Sequence, residues 1–171
     1  MRHLLLIALV GLSTACATTS STEEEDAPPA SAGPPSYAEV PFAKATNAAF
    51  RDDLRNKRIK VRCQFVGTDA ITAAPMFARS QGVARSDDVF FAVGAPGAAP
   101  ADNPLAAAAA SAGRWEGVFV AKAASDPVFA LQPGQPVVLY GKFLTKGIKN
   151  AQGVEYDEMA FLRVERVEAA P

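Results

Sequence analysis

The stretch Arg58-Ile59-Lys60-Val61-Arg62-Cys63-Gln64-Phe65 decides the fold. Ile59, Val61, Cys63 and Phe65 alternate with Arg58, Lys60, Arg62 and Gln64. A strict period of two sends one set to a buried face and the other to water, so the stretch reads as a half-buried strand. Just upstream, Phe50 and Leu54 stand four apart within Asn47 to Asn56, the spacing of a short helix that leads into it.

Further strands follow from the same reasoning. Asp88 to Gly94 and Trp115 to Lys122 are rich in Val and Phe, and Pro136 to Leu144 follows the turn Gln132-Pro133-Gly134-Gln135. Tyr156 to Glu168 makes a fifth, with Ala160, Leu162 and Val164 alternating against Met159, Phe161 and Arg163. Thr145 to Gly153, polar and carrying Gly147 and Gly153, predicts the hairpin loop between the last two strands. Thr68 to Asp87 reads as a long polar connection with scattered apolar residues. Between Ala95 and Gly113, Asn103-Pro104 before an alanine run and a closing glycine spell a short helix. The expected class is therefore mainly β: a small five-stranded antiparallel barrel with one or two short helices.

The chain of 171 residues holds 17 bases, 18 acids and 35 alanines, so its core of large side chains is modest. Its beginning has a different character. Met1-Arg2-His3 is basic, and Leu4 to Leu12 is an apolar run too short for a membrane span, which needs about 20 residues. Basic start, short apolar centre and small residues make an export signal over 1–15. Residues 16–36 then carry Ser, Thr, Pro, Ala and the acidic run Glu23 to Asp26, with no large apolar side chain. Such a segment cannot offset its ordering entropy, and it reads as a disordered tether. Residues 37–171 hold nearly all the aromatics and form one domain, faintly basic at 16 bases against 14 acids.

Two resemblances follow. Leu12-Ser13-Thr14-Ala15 running into Cys16 resembles the lipobox of bacterial lipoproteins, although Ser13 stands where that family more often has Leu. The resemblance implies that Cys16 is lipidated, palmitate among its chains, and anchors the protein to a membrane. An ordinary secretory signal cut near Ala15 or Ala17 is the plainer alternative. Ala17, where an aspartate would mark inner-membrane retention, implies the outer membrane of the cell envelope, facing the periplasm or the exterior. With Cys16 acylated, Cys63 has no partner for a disulfide. Second, Asn56-Lys57-Arg58-Ile59-Lys60-Val61, Gly134-Gln135-Pro136-Val137 through Gly141-Lys142, and the closing segment Tyr156 to Glu168 resemble bacterial OB-fold proteins of the tRNA-anticodon-like type. That resemblance implies a fold and no particular ligand. A lipocalin-like barrel is the alternative.

The chemistry is sparse. His3, the only histidine, falls in the export signal, which excludes an imidazole base from the mature chain. The carboxylate neighbours Asp52/Asp53, Asp87/Asp88 and Asp157/Glu158 lack metal-loop or acid–base spacing, and no phosphate loop or nucleophile motif occurs. We therefore assign no catalytic residue, no metal and no cofactor. Cys63 sits on the apolar side of its strand, where a cysteine is an inert small hydrophobe. Arg58, Lys60 and Arg62 are the candidate residues for binding an anion or partner; the plainer reading is a solvated strand face. The expected function is a non-catalytic, envelope-anchored lipoprotein whose barrel binds a protein or an envelope polymer. A histidine-free hydrolase and an oligonucleotide-binding OB domain are the alternatives; near-neutral charge and the export signal speak against nucleic acid.

Overall fold

The computed structural model describes residues 35–68, 73–97 and 113–170. The export signal, Cys16, the tether up to residue 34 and the helix expected after Asn103 lie outside the described residues. The chain enters through a two-residue strand β1 (Ala38–Glu39), a single helical turn α1 (Phe42–Ala45), and a 3-10 turn at Ala48–Phe50 that runs into α2 (Arg51–Leu54). The strands are β2 (Arg58–Gly67), β3 (Val89–Gly94), β4 (Arg114–Val120), β5 (Pro136–Lys149) and β6 (Glu155–Ala169). Helix α3 (Ala73–Ser80) lies between β2 and β3, and α4 (Asp126–Phe129) between β4 and β5.

Strands β2 to β6 close into a ring. The order is β2-β3-β4-β6-β5, and β5 returns to pair with β2. The long β2 makes closure feasible by serving two neighbours: Arg58 to Gln64 pair antiparallel with Lys142 to Pro136, and Gln64 to Gly67 pair with Gly94 to Ala92. One joint, β4 to β6, is parallel, with Val118 to Val120 opposite Leu162 to Val164. This order is that of an OB-like barrel, as the sequence led us to expect. The inward residues Ile59, Val61, Cys63, Phe65, Phe91, Val93, Val118, Val120, Leu139, Phe143, Leu162 and Val164 pack together as its core.

The short motifs now have physical reasons. Asn56, before Lys57, holds φ at 62°, a left-handed conformation that Asn and Gly tolerate best, while its N–H donates to the Phe143 carbonyl at 2.9 Å. Gly141 sits where the β5–β6 register shifts, and a Cβ there would collide with the Arg163 carbonyl. Glycine is required by proximity.

Several expectations need correcting. The loop placed at Thr145 to Gly153 is mostly strand: β5 continues to Lys149, and the turn is confined to residues 150–154. Cross-strand pairing with Glu155 to Ala160 stabilises residues whose composition alone looked like a loop. The polar connection after Thr68 contains α3, whose Ala74 and Ala78 are buried. In β6 the alternation does not separate core from water, because Leu162 is buried inside the barrel and Phe161 outside it, beneath α3. Strand β1, parallel to β2 through Ala38–Ile59 and Glu39–Lys60, is too short to leave a sequence pattern.

Candidate functional site

Arg58, Lys60 and Arg62 all lie on the outer face of β2, as their alternation required. Each meets an acid that the strand pattern did not reveal. Arg58 Nε lies 3.2 Å from Glu165 of β6, Lys60 Nζ 3.0 Å from Glu39 of β1, and Arg62 Nε 3.5 Å from the same Glu39. Hydrogen bonding from Lys60 holds the Glu39 carboxyl below the usual carboxylate range. The stripe is therefore largely neutralised by its neighbours. That is the geometry of a solvated, ion-paired face.

Two tyrosines complete this face. Tyr37 and Tyr140 meet edge to face with ring centroids 5.3 Å apart, and the Arg166 guanidinium stacks over Tyr140 at 3.9 Å. Tyr37 donates to Glu165 at 2.6 Å and Tyr140 to Glu168 at 2.7 Å. Those carboxylate acceptors hold both phenol protons and raise both pKa values. The sequence offered no sign of Tyr37's part, because it precedes the barrel and reaches the face only through β1.

A second aromatic surface lies on the outside of β3, β4 and β6. Phe90 and Phe119 have centroids 5.0 Å apart, and Phe119 meets Phe161 edge to face at 6.4 Å. Such rings could stack bases. Here α3 lies over them: Phe77 stacks on Phe161 at 6.5 Å, and Ala74, Ala78 and Ala84 close the cluster. Arg79 sits over Phe90 and Arg163 over Phe119, at 5.4 and 5.3 Å. Arg163 also donates to the Val83 carbonyl at 2.7 Å, fastening the segment after α3 to the barrel.

Cys63 is 2% exposed, and burial pushes its thiol up to about 12. It is a core residue with negligible thiolate. Among the described residues, no group of three or more His, Cys, Asp or Glu converges to hold a metal. The β5–β6 hairpin ends in exposed apolar side chains, Val154 at 59% and Tyr156 at 67%.

No protein-family model matches the chain, and no curated protein matches it. Among solved structures, a small single-stranded DNA-binding protein from Streptomyces coelicolor is similar at TM-score 0.39 and 13% identity. That alignment covers 68% of this chain and 95% of the other. An aspartyl-tRNA synthetase from Leishmania major Friedlin is similar at TM-score 0.39 and 11% identity, over 84% of this chain and 23% of the synthetase. Scores this low carry no argument about ligands, and the OB-like assignment rests on the strand order itself.

Proposed function

We propose that the chain is a lipid-anchored, non-catalytic binding module of the bacterial cell envelope, and that its barrel docks a protein partner. The observation that carries this reading is the exposed apolar end of the β5–β6 hairpin, with Val154 in the turn and Tyr156 at the register shift that follows it. An exposed aromatic with a polar tip is a common anchor of protein interfaces. Two further features support a protein over a nucleic acid. The basic stripe is ion-paired, and the stackable rings lie under α3. Anchoring rests on the sequence around Cys16, and Ala17 favours the outer membrane.

The full-length protein, expressed with its export signal in a diderm host, tests both halves. Membrane-fraction recovery, with a mass increment of acyl chains on Cys16 that Cys16→Ala abolishes, is the expected result. An unmodified protein among the cell contents overturns the anchor. A photo-crosslinker at Tyr156 should give a discrete protein adduct that is lost on Val154→Asp. Saturable binding of single-stranded DNA at physiological salt would instead establish the oligonucleotide reading.

A further inference from the structure

Where a charged side chain faces its partner across the barrel's ladders, that partner is nearly always neutral or of opposite sign. Glu39 faces Lys60, Glu155 faces Lys149 and Met159 faces Lys146. Lys142 of β5 departs from this on both of its sides. It stands directly opposite Arg58 of β2 and directly opposite Arg163 of β6. These are the two directly opposed pairs of like charge among the described strands. Residues directly opposite share a face of the sheet with β-carbons about 5 Å apart, and like charges so placed repel. Three cations thus form one row across β2, β5 and β6 on the outer face. The row ends at Phe119 of β4, which stands opposite Arg163 and lies beneath its guanidinium at 5.3 Å.

Among the described residues, one carboxylate reaches this row. Glu165, left over where the β5–β6 register shifts between Tyr140 and Gly141, accepts from Arg58 Nε at 3.2 Å on each oxygen and from the Tyr37 hydroxyl at 2.6 Å. The ion pairs of the described residues include neither Lys142 nor Arg163. Three positive charges against one carboxylate leave an excess of two, concentrated on that neighbouring pair. Arg163 is also held in place. It donates to the Val83 carbonyl at 2.7 Å while resting on Phe119, and a guanidinium keeps further N–H donors to offer. Lys142, half-buried beside it, adds three donors on a flexible stem. A phosphate monoester fits such a pair: it carries about −1.5 to −2 charges at pH 7 and three terminal oxygens to share between two cations.

We propose that Lys142 and Arg163, with Arg58 beside them, bind a phosphate monoester, one oxygen accepting from the guanidinium and another from the ammonium. The inference uses no residue of the hairpin's end and does not depend on the lipid anchor. The phosphoryl group belongs either to a free phosphorylated molecule or to a phosphomonoester lipid headgroup. Inorganic phosphate titrated into the full chain at fixed ionic strength, with chloride as the balancing salt, should give saturable NMR amide shifts centred on Lys142 and Arg163 and raise the thermal midpoint. Lys142→Gln and Arg163→Gln should each weaken that binding about ten-fold or more. Lys142→Arg, which keeps the charge, should retain it, and so should Lys149→Gln, since Lys149 faces Glu155 in place of a cation. Dimethyl phosphate, a diester of single charge, should bind about ten-fold or more weakly than phosphate. Glycerol phosphate and short-chain dihexanoyl phosphatidic acid separate the sources: equal binding marks a free phosphomonoester, and tighter binding of the lipid marks a headgroup. The substituted side chains lie outside the core, and unchanged thermal unfolding in chloride checks that the variants fold. Absence of saturable shifts from phosphate at millimolar concentration overturns the proposal. So does dimethyl phosphate binding as tightly as phosphate, or phosphate binding that survives both substitutions to Gln.

Discussion

At the scale of single residues, Cys63 has the most definite consequence. Its thiol is raised to about 12 by burial, above the ordinary value of 9.0. A raised pKa means the native state keeps its proton longer than the unfolded chain does. The contribution is whole below about pH 9 and declines as pH rises from there toward 12, by at most about 1.4 kcal/mol per pH unit. Urea unfolding should show wild type losing stability relative to Cys63→Ala between about pH 8 and about pH 10. A thiol reagent should label the native protein far more slowly than the denatured one. Gly141 supplies a second test. An added methyl meets the Arg163 carbonyl across the β5–β6 register shift, and the backbone there cannot yield as a side chain could. Gly141→Ala should cost about 1–3 kcal/mol, read from the shift in denaturation midpoint.

Helix α3 carries the argument at the scale of elements. It buries Ala78 completely and stacks Phe77 on Phe161. Ala78→Asp places an unpaired carboxylate beneath it and should detach the helix while leaving the inner core intact, at a cost of several kcal/mol to local stability. The check is faster amide exchange over residues 73–84 together with increased binding of a hydrophobic dye to the uncovered Phe119 and Phe161. This element was the least legible in the sequence. Ala73 to Ser80 includes Pro75 and small side chains, and its apolar face matters only once the barrel's outer rings are in place. The alternation of Ile59, Val61, Cys63 and Phe65 needed no such context and located β2 correctly. The extension of β5 to Lys149 depended on pairing with β6, which no local pattern encodes. The alternation put Arg58, Lys60 and Arg62 on one outer face, but the acids that set the charge of that face come from other strands: Glu39 from the two-residue β1, Glu165 and Glu168 from β6.

At the scale of the whole molecule, the order β2-β3-β4-β6-β5 puts the final strand between two earlier ones. A chain ending at residue 150 therefore lacks the piece that joins β4 to β5, and it should show neither cooperative unfolding nor sharp side-chain dispersion by NMR. Adding a synthetic peptide of residues 151–171 should restore both if the remaining strands retain their register. The same arrangement dictates a timetable. No portion of the chain that precedes β6 can complete the cylinder, because β6 joins β4 to β5 and β2 must wait for a partner more than 70 residues away. Until β6 has emerged from the ribosome the polypeptide stays open, and the cylinder shuts only once that strand is free to slide between its two neighbours.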